Sequence, residues 1–458
     1  MVTEHHTENK VGVSVRMSGS PAYPDVQELS GLIRDALYAA GVGHNNRQAP
    51  FSEIIDEGAT VLLKPNWVLH ENYGGHGMDC LVTHPNFILA VLGEVLKAKP
   101  GRVVIGDAPI QECHFETLVP PEWREMIVAK SDCPVDILDL RRTILRDGDL
   151  SLGQDQDVRS LERYVLFDLG KASLLEPVSD PESRFRITCY DPDRLAEKHG
   201  PGCHQYLLAK EPFEADVIIN LPKLKTHKKG GITAALKNLV GLNGNKEYLP
   251  HHRLGGSKEG GDCYPGTSQV KKMAEYCLDE ANRRIGTAGC QKWLKSARYL
   301  LKAQNLLGNP EIEGGWHGND TVWRMALDLN RILLYGTIDG AISDMQQRTI
   351  FSLTDAVIAG EGNGPLAPMP VPLGAVTFSS NSAFADWVHA SLMGFDPLKI
   401  PMIREAFQGF PYRLTTLAPG DCQIICNGRS LAIDELRDKF GREFVPASGW
   451  QGHIEWRG

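Results

Sequence analysis

The stretch from residue 59 to residue 108 constrains the fold more than any other part of the chain. It runs from "ATVLLKPNWV" through "THPNFILAVLGEVLKAKPG" to "RVVIGDAP". The outer segments are short apolar runs of strand length, and the middle segment repeats its apolar residues at helical spacing. Pro85 suits a first helical turn, and Pro100 with Gly101 ends the helix. Strand, helix, strand in this compass is a βαβ unit, which favours a parallel sheet. The expected class is α/β: a mostly parallel sheet flanked by helices, with a long inserted segment and a helical region before the C-terminal part.

The remaining segments fit around that unit. "VGVSVRM" reads as a first strand and "DVQELSGLIRDALYAAGV" as a helix, so residues 1–110 form an N-terminal α/β part of the core. Residues 1–10 read as a frayed tail in which His5 and His6 carry no role. Residues 111–210 hold strand-like "PVDILDL" and "RYVLFDLG" between charged loops, and read as an inserted excursion or a lid. Residues 211–458 continue the core. Within them "EADVIINLPKLKTH" returns to the sheet and "ITAALKNLVG" reads as a helix. Residues 245–266 form a polar, Gly-rich loop long enough to be functional. A helical insertion spans 267–335, its third helix capped by Asn319 or Asp320.

Bulk composition excludes several classes. With 458 residues, 42% hydrophobic and 23% charged, the chain is an ordinary globular protein of two or three domains or one large body. A net charge of -9 argues against nucleic-acid binding, which calls for a basic face. The ten cysteines show no CxxC pair and no zinc-ribbon spacing. The N-terminus lacks an apolar signal core, and no run is long and apolar enough for a membrane span. The expectation is a cytoplasmic protein with free, structural thiols. Its oligomeric state is not set by the sequence.

Ligands of parallel α/β sheets bind at the carboxyl ends of strands. Three such ends carry polar residues: Lys64 and Asn66, Asp107, and Lys223, Lys225 and His227 in "LPKLKTHKKGG". Side chains at i, i+2 and i+4 of an extended segment share a face, so the last three would form a ladder. Two glycines and a helix start near Thr233 follow, with Lys237 and Asn238 one turn on. Either this is a wall of an anion pocket, helped by the helix N-terminus, or it is a solvated basic rim. Other candidates carry similar pairs of readings. His84 caps a helix or serves a site. Asp107 caps a turn or holds a metal or a hydroxyl. His251 and His252 belong to a polar loop or bind metal. Glu361 in "GEGNGP" shapes a tight turn, or is a metal ligand or general base. Asp386 faces a site or solvent. His317 precedes a helix. Cys422 and Cys426 read as core or edge thiols.

The order of these motifs resembles the domain-of-unknown-function 362 family. That family carries a "KPN" strand end, a "THP" helix start, a "VVIGD" strand, a "PKLKTH…T…LKN…G" segment and a late "D…EGNGP" loop. Here they stand at Lys64 to Asn66, Thr83 to Pro85, Asp107, Lys223 to Gly241, and Asp355 with Glu361 to Pro365. Asp386 matches a final Asp. The resemblance implies an α/β fold and no established reaction. Many members carry a CxxCxxC segment that this chain lacks, so no iron–sulfur cluster is expected. "NGNKEYLPHHR" and "WHGNDTVWRMALDLNRILLY" look like marks of a cluster-free subgroup associated with surface-polysaccharide genes.

Three functional expectations follow. The first is an enzyme acting on an anionic small molecule, phosphorylated or carboxylated, with a glycan precursor as one candidate. In it Lys64, Asn66, Lys223, Lys237 and Asn238 bind the ligand, and Lys225, His227, Glu361 and His317 are catalytic. Asp107, Glu361 and Asp386 would hold Mg²⁺ or Mn²⁺. The second is metal-free proton abstraction of the racemase or epimerase kind by a Lys/His base. The third is a non-catalytic binding or scaffold protein. The first requires Lys64, Asp107, Lys223, Lys225, His227, Lys237, Asn238 and Glu361 to line one pocket.

Overall fold

The computed structural model describes residues 8–16, 22–129, 131–307 and 311–457; His5 and His6 lie outside the described residues. Its centre is an eleven-stranded mixed sheet. The strands are β1 (Lys10–Val15), β2 (Thr60–Pro65), β3 (Arg102–Asp107), β4 (Val135–Asp139), β5 (Val217–Leu221), β6 (Lys223–His227), β7 (Gly231–Thr233), β8 (Ile350–Asn363), β9 (Ala367–Ser379), β10 (Gln423–Cys426) and β11 (Arg429–Leu431). They lie side by side in the order β11-β10-β1-β9-β8-β5-β2-β3-β4, with β6 branching off β8 and carrying β7. From β8 through β5, β2 and β3 to β4 every pairing is parallel. The α/β class expected from the βαβ signature is the one observed.

Central strands must present apolar residues to both faces, and these do. Val61, Leu62 and Leu63 of β2 and Val103, Val104 and Ile105 of β3 are all buried. The crossover between them is α2 (Pro85–Leu96), started by His84, whose Nδ1 accepts from Asn86 N at 3.0 Å. On the same side, α1 (Val26–Ala39) buries Leu29, Ile33, Ala36 and Leu37 and is capped by Asp25. It lies so close to β1 that a Cβ on Gly12 would come 2.0 Å from the Ala36 carbonyl oxygen. All ten cysteines are free.

Two expectations need correction. "ITAALKNLVG" is not one helix. It divides into β7, the one-turn α3 (Ala235–Asn238) and a 3₁₀ turn over Leu239–Leu242. Gly231 turns the chain at φ +80, and Thr233 then pairs with Lys225. Between the two cap candidates before α6 (Val322–Tyr335), Asn319 is the one used. Its Oδ1 accepts from Thr321 N and Val322 N, while the Asp320 carboxylate takes Trp323 and Arg324.

Within 111–210 the chain contributes β4 to the main sheet. It then builds a small sheet in which Tyr164–Asp168 and His199–Gly200 flank Cys203–Ala209. The helical region forms a hairpin of α4 (Gln269–Asn282) and α5 (Ala288–Leu307), followed by the almost wholly buried α6.

Candidate functional site

Parallel strands end together, so the residues just past β2, β3 and β6 meet at one rim. A cavity of about 480 Å³ opens there. Lys64 and Asn66 come from the end of β2, Asp107 from β3, Lys225 and His227 from β6, and Lys237 and Asn238 from α3. Tyr190, Lys246, His251 and the β8–β9 hairpin tip, residues 363–367, also line it. The volume suits a small organic molecule.

A buried ion pair lies at this rim. Lys64 Nζ stands 2.7 Å from Asp107 Oδ1, both essentially inaccessible. Asp107 Oδ2 accepts from Trp67 N at 2.6 Å and Oδ1 from Ala108 N at 2.8 Å. Burial pushes the Asp107 carboxyl up and the Lys64 ammonium down, each opposed by its partner. Asn238 braces the same corner, donating to Asn220 Oδ1 at 2.8 Å and accepting from Asn66 Nδ2 at 2.9 Å. The pair leaves no room beside it: a Cβ on Gly241 would sit 2.0 Å from Asp107 Oδ1 and 2.6 Å from Lys64 Nζ. Gly241→Ala is therefore expected to cost about 1–3 kcal/mol through overpacking, read as a lower urea midpoint. A midpoint equal to wild type would show that the corner yields freely.

Around this pair the cavity is rich in cations with little compensation. Burial, the largest cause, and neighbouring lysines bring Lys225 down to about 7 and Lys237 to about 8. Burial brings Lys246 to about 7. Lys225 donates to Leu81 O, and Lys246 to Ala108 O at 2.8 Å. Among the described residues the Lys237 ammonium has no hydrogen-bond or ion-pair partner. His227 Nδ1 accepts from Lys229 N and Gly230 N, which places the ring proton on Nε2. Burial, reinforced by Lys237, holds that ring well below its usual range, so it is neutral. His251 is neutral for the same reasons and turns Nδ1–H to Leu249 O at 2.7 Å.

Three further polar atoms on the cavity lining are buried with no hydrogen-bond partner: Thr233 Oγ1, Tyr190 Oη and Asn66 Oδ1. Native structures leave few such groups. Lys237, Thr233 and Tyr190 are donors and Asn66 Oδ1 is an acceptor.

Other candidates sit elsewhere. Lys223 is absent from the lining: its Nζ pairs with Asp355 Oδ2 at 2.6 Å, both side chains fully buried, and donates to Ile358 O at 3.1 Å. The regular ladder fails because the register against β8 shifts between Lys223, opposite Asp355, and Lys225, opposite Gly360. Glu361 Oε2 accepts from Val445 N at 2.9 Å, away from the lining. Asp386 is wholly buried and accepts from Ala235 N, Leu236 N and His389 Nδ1. That carboxylate already occupies the start of α3, so the helix terminus expected to face an anion does not. His317 stacks on His453 with ring centroids 3.5 Å apart, in a separate depression beside Trp316. His251 lines the cavity whereas His252 belongs to a two-stranded pairing with Arg186.

A divalent metal does not fit these residues. Asp107, Glu361 and Asp386 are engaged in three separate places. The one in the cavity is neutralised by Lys64 and surrounded by lysines that repel a cation. Among the described residues, no group of three or more His, Cys, Asp or Glu side chains could hold a metal.

Residues 183–391 match the family model described as Domain of unknown function (DUF362). The DUF362 span takes in Lys223 to Gly241, Asp355, Glu361 to Pro365 and Asp386, and leaves Lys64, Thr83 to Pro85 and Asp107 outside it. A thylakoid-associated protein of Synechocystis sp. is 26% identical over 239 residues, 52% of this chain and 50% of that protein. Among solved structures, a protein from Thermotoga maritima aligns with a TM-score of 0.32 at 10% identity, over 78% of this chain and 55% of that one. The lactate racemase apoprotein from Thermoanaerobacterium thermosaccharolyticum aligns with a TM-score of 0.29 at 10% identity, over 83% of this chain and 56% of that one. The chain thus spans about half the length of each.

Sequence reading missed Lys246, Tyr190 and Glu112, which also line the cavity. Lys246 stood inside the quoted "NGNKEYLPHHR" stretch but was not singled out. Tyr190 and Glu112 lie in the 111–210 segment, whose pattern carries no motif. Burial raises the Glu112 carboxyl above the usual range.

Proposed function

We propose that this cavity binds a small molecule bearing a carboxylate or phosphate, and that the protein is an enzyme moving a proton on that molecule. The observation behind this reading is the set of unpartnered donors, Lys237, Thr233 Oγ1 and Tyr190 Oη, on the lining that holds Lys225. Donors without acceptors in a buried, cationic space call for an anionic oxygen group. Lys225 at about 7 exists as both amine and ammonium near neutrality, which suits proton transfer in either direction. Lys237 and the His227 Nε2–H would steady negative charge that develops on the ligand. Glu112, whose acid form burial favours, is a second group on the lining that could carry a proton. The residues favour this metal-free chemistry over the metal-dependent one, because Asp107 is spent on Lys64 and the lysines of the lining repel a cation.

Two measurements separate binding from turnover. In thermal-shift titrations, inorganic phosphate and a panel of carboxylates with an acidic α-C–H should raise the melting temperature. A ligand at 100 times its Kd stabilises by about 2.7 kcal/mol. Lys237→Met should remove that rise, and a rise undiminished in Lys237→Met would refute the anion site. For the ligand that binds, deuterium uptake at the α-carbon in D₂O should occur with wild type and fall at least about 100-fold in Lys225→Met, whose melting response persists. Binding without any uptake would leave a binding protein.

A further inference from the structure

The helical hairpin carries a charged face that the cavity does not use. Helix α5 contains Lys292, Lys295, Arg298 and Lys302 and no acidic residue, in a chain of net charge -9. Its buried side is Cys290 and Ala297, turned to α4. On the opposite side, positions 292, 295, 299, 302 and 306 recur at helical spacing, so Lys292, Lys295 and Lys302 surround Tyr299 and Leu306. Leu306 is 88% exposed and Tyr299 71%, two of the most exposed large apolar side chains described. The neighbouring α4 adds Met273 and Tyr276, each more than half exposed. Among the described residues, none of the three lysines is in an ion pair.

Unpaired lysines around protruding apolar side chains, on one face of one helix, are the chemistry of the headgroup boundary. The apolar tips enter the acyl edge while the ammonium groups reach anionic headgroups along their stems. We infer that α5 docks the protein peripherally on a surface of anionic lipids. The occupant follows from charge: an acidic chain is repelled by such a surface everywhere except where its cations are gathered. A nucleic acid would satisfy the lysines and leave Leu306 and Tyr299 in water.

The experiment is sedimentation of the full chain with vesicles of phosphatidylcholine alone and of phosphatidylcholine with phosphatidylglycerol. Binding is expected to the second only, and to fade as salt is raised. Lys292→Glu/Lys295→Glu/Lys302→Glu should weaken it by roughly 100-fold or more. Tyr299→Ser/Leu306→Ser should weaken it by about tenfold or more, with the thermal response to phosphate unchanged in both variants. Absence of binding to the anionic vesicles overturns the inference. So does salt-insensitive binding by wild type, a measurement that needs no variant. Retention on heparin without vesicle binding also overturns it, in favour of a polyanionic partner.

Discussion

Lys223→Ala is expected to destabilise the protein by about 3–5 kcal/mol, because it leaves the Asp355 charge buried without its counter-ion. Both side chains are fully buried with Nζ and Oδ2 2.6 Å apart. Asp355 also takes two backbone donors, His84 N at 3.0 Å and Val357 N at 3.3 Å, neither of which neutralises it. Urea unfolding measures the loss. The double variant Lys223→Met/Asp355→Leu should recover most of it, since replacing both partners of a buried pair by apolar groups is often neutral. A Lys223→Ala protein with wild-type stability and lost anion binding would return Lys223 to the cavity and refute its structural role.

The second large effect concerns pH. Lys225 is lowered from 10.5 to about 7 by burial and by Lys223. Below about 7 both folded and unfolded chains hold this proton, and the folded chain carries the full cost of a buried charge. Between about 7 and 10.5 the unfolded chain binds more protons than the folded one, so stability contributed by this group rises with pH. Wild type should therefore gain stability relative to Lys225→Met across that window, with the two curves parallel below it. Anion binding should move the opposite way, strongest below about 7 and fading as Lys246 at about 7 and then Lys237 at about 8 lose their charge. Denaturant midpoints and phosphate affinities measured from pH 6 to 10 test both trends. Parallel stability curves across the whole range would mean that Lys225 is an ordinary, hydrated lysine.

What could be read from the amino acids was whatever repeats regularly. The ends of β2 and β3 were legible because buried parallel strands leave apolar runs, and their next residues must lie on one rim. Lys64, Asn66, Asp107, Lys225, His227, Lys237 and Asn238 accordingly share a lining. Lys223 misled because alternation assumes an unbroken ladder, and the register shift beside it is a tertiary event. Ile232, Leu236 and Leu239 have helical spacing, yet Gly231 and the pairing of Thr233 with Lys225 impose a strand first. Asp386 gave no sign that it would cap α3 from far along the chain. Tyr190 and Glu112 come from irregular loops, where position depends on packing and not on local pattern.

The hairpin tip that walls the cavity is fastened from behind. Gly362 N meets Val445 O at 2.8 Å, Ser448 N meets Asn363 Oδ1 at 3.2 Å, and Trp450 Nε1 meets Lys228 O at 2.6 Å. Residues 445–450 are thereby a strap across the back of the binding wall. Amide exchange at Val445 and Ser448 is therefore expected to respond when the cavity fills, a gauge of occupancy placed outside the cavity itself.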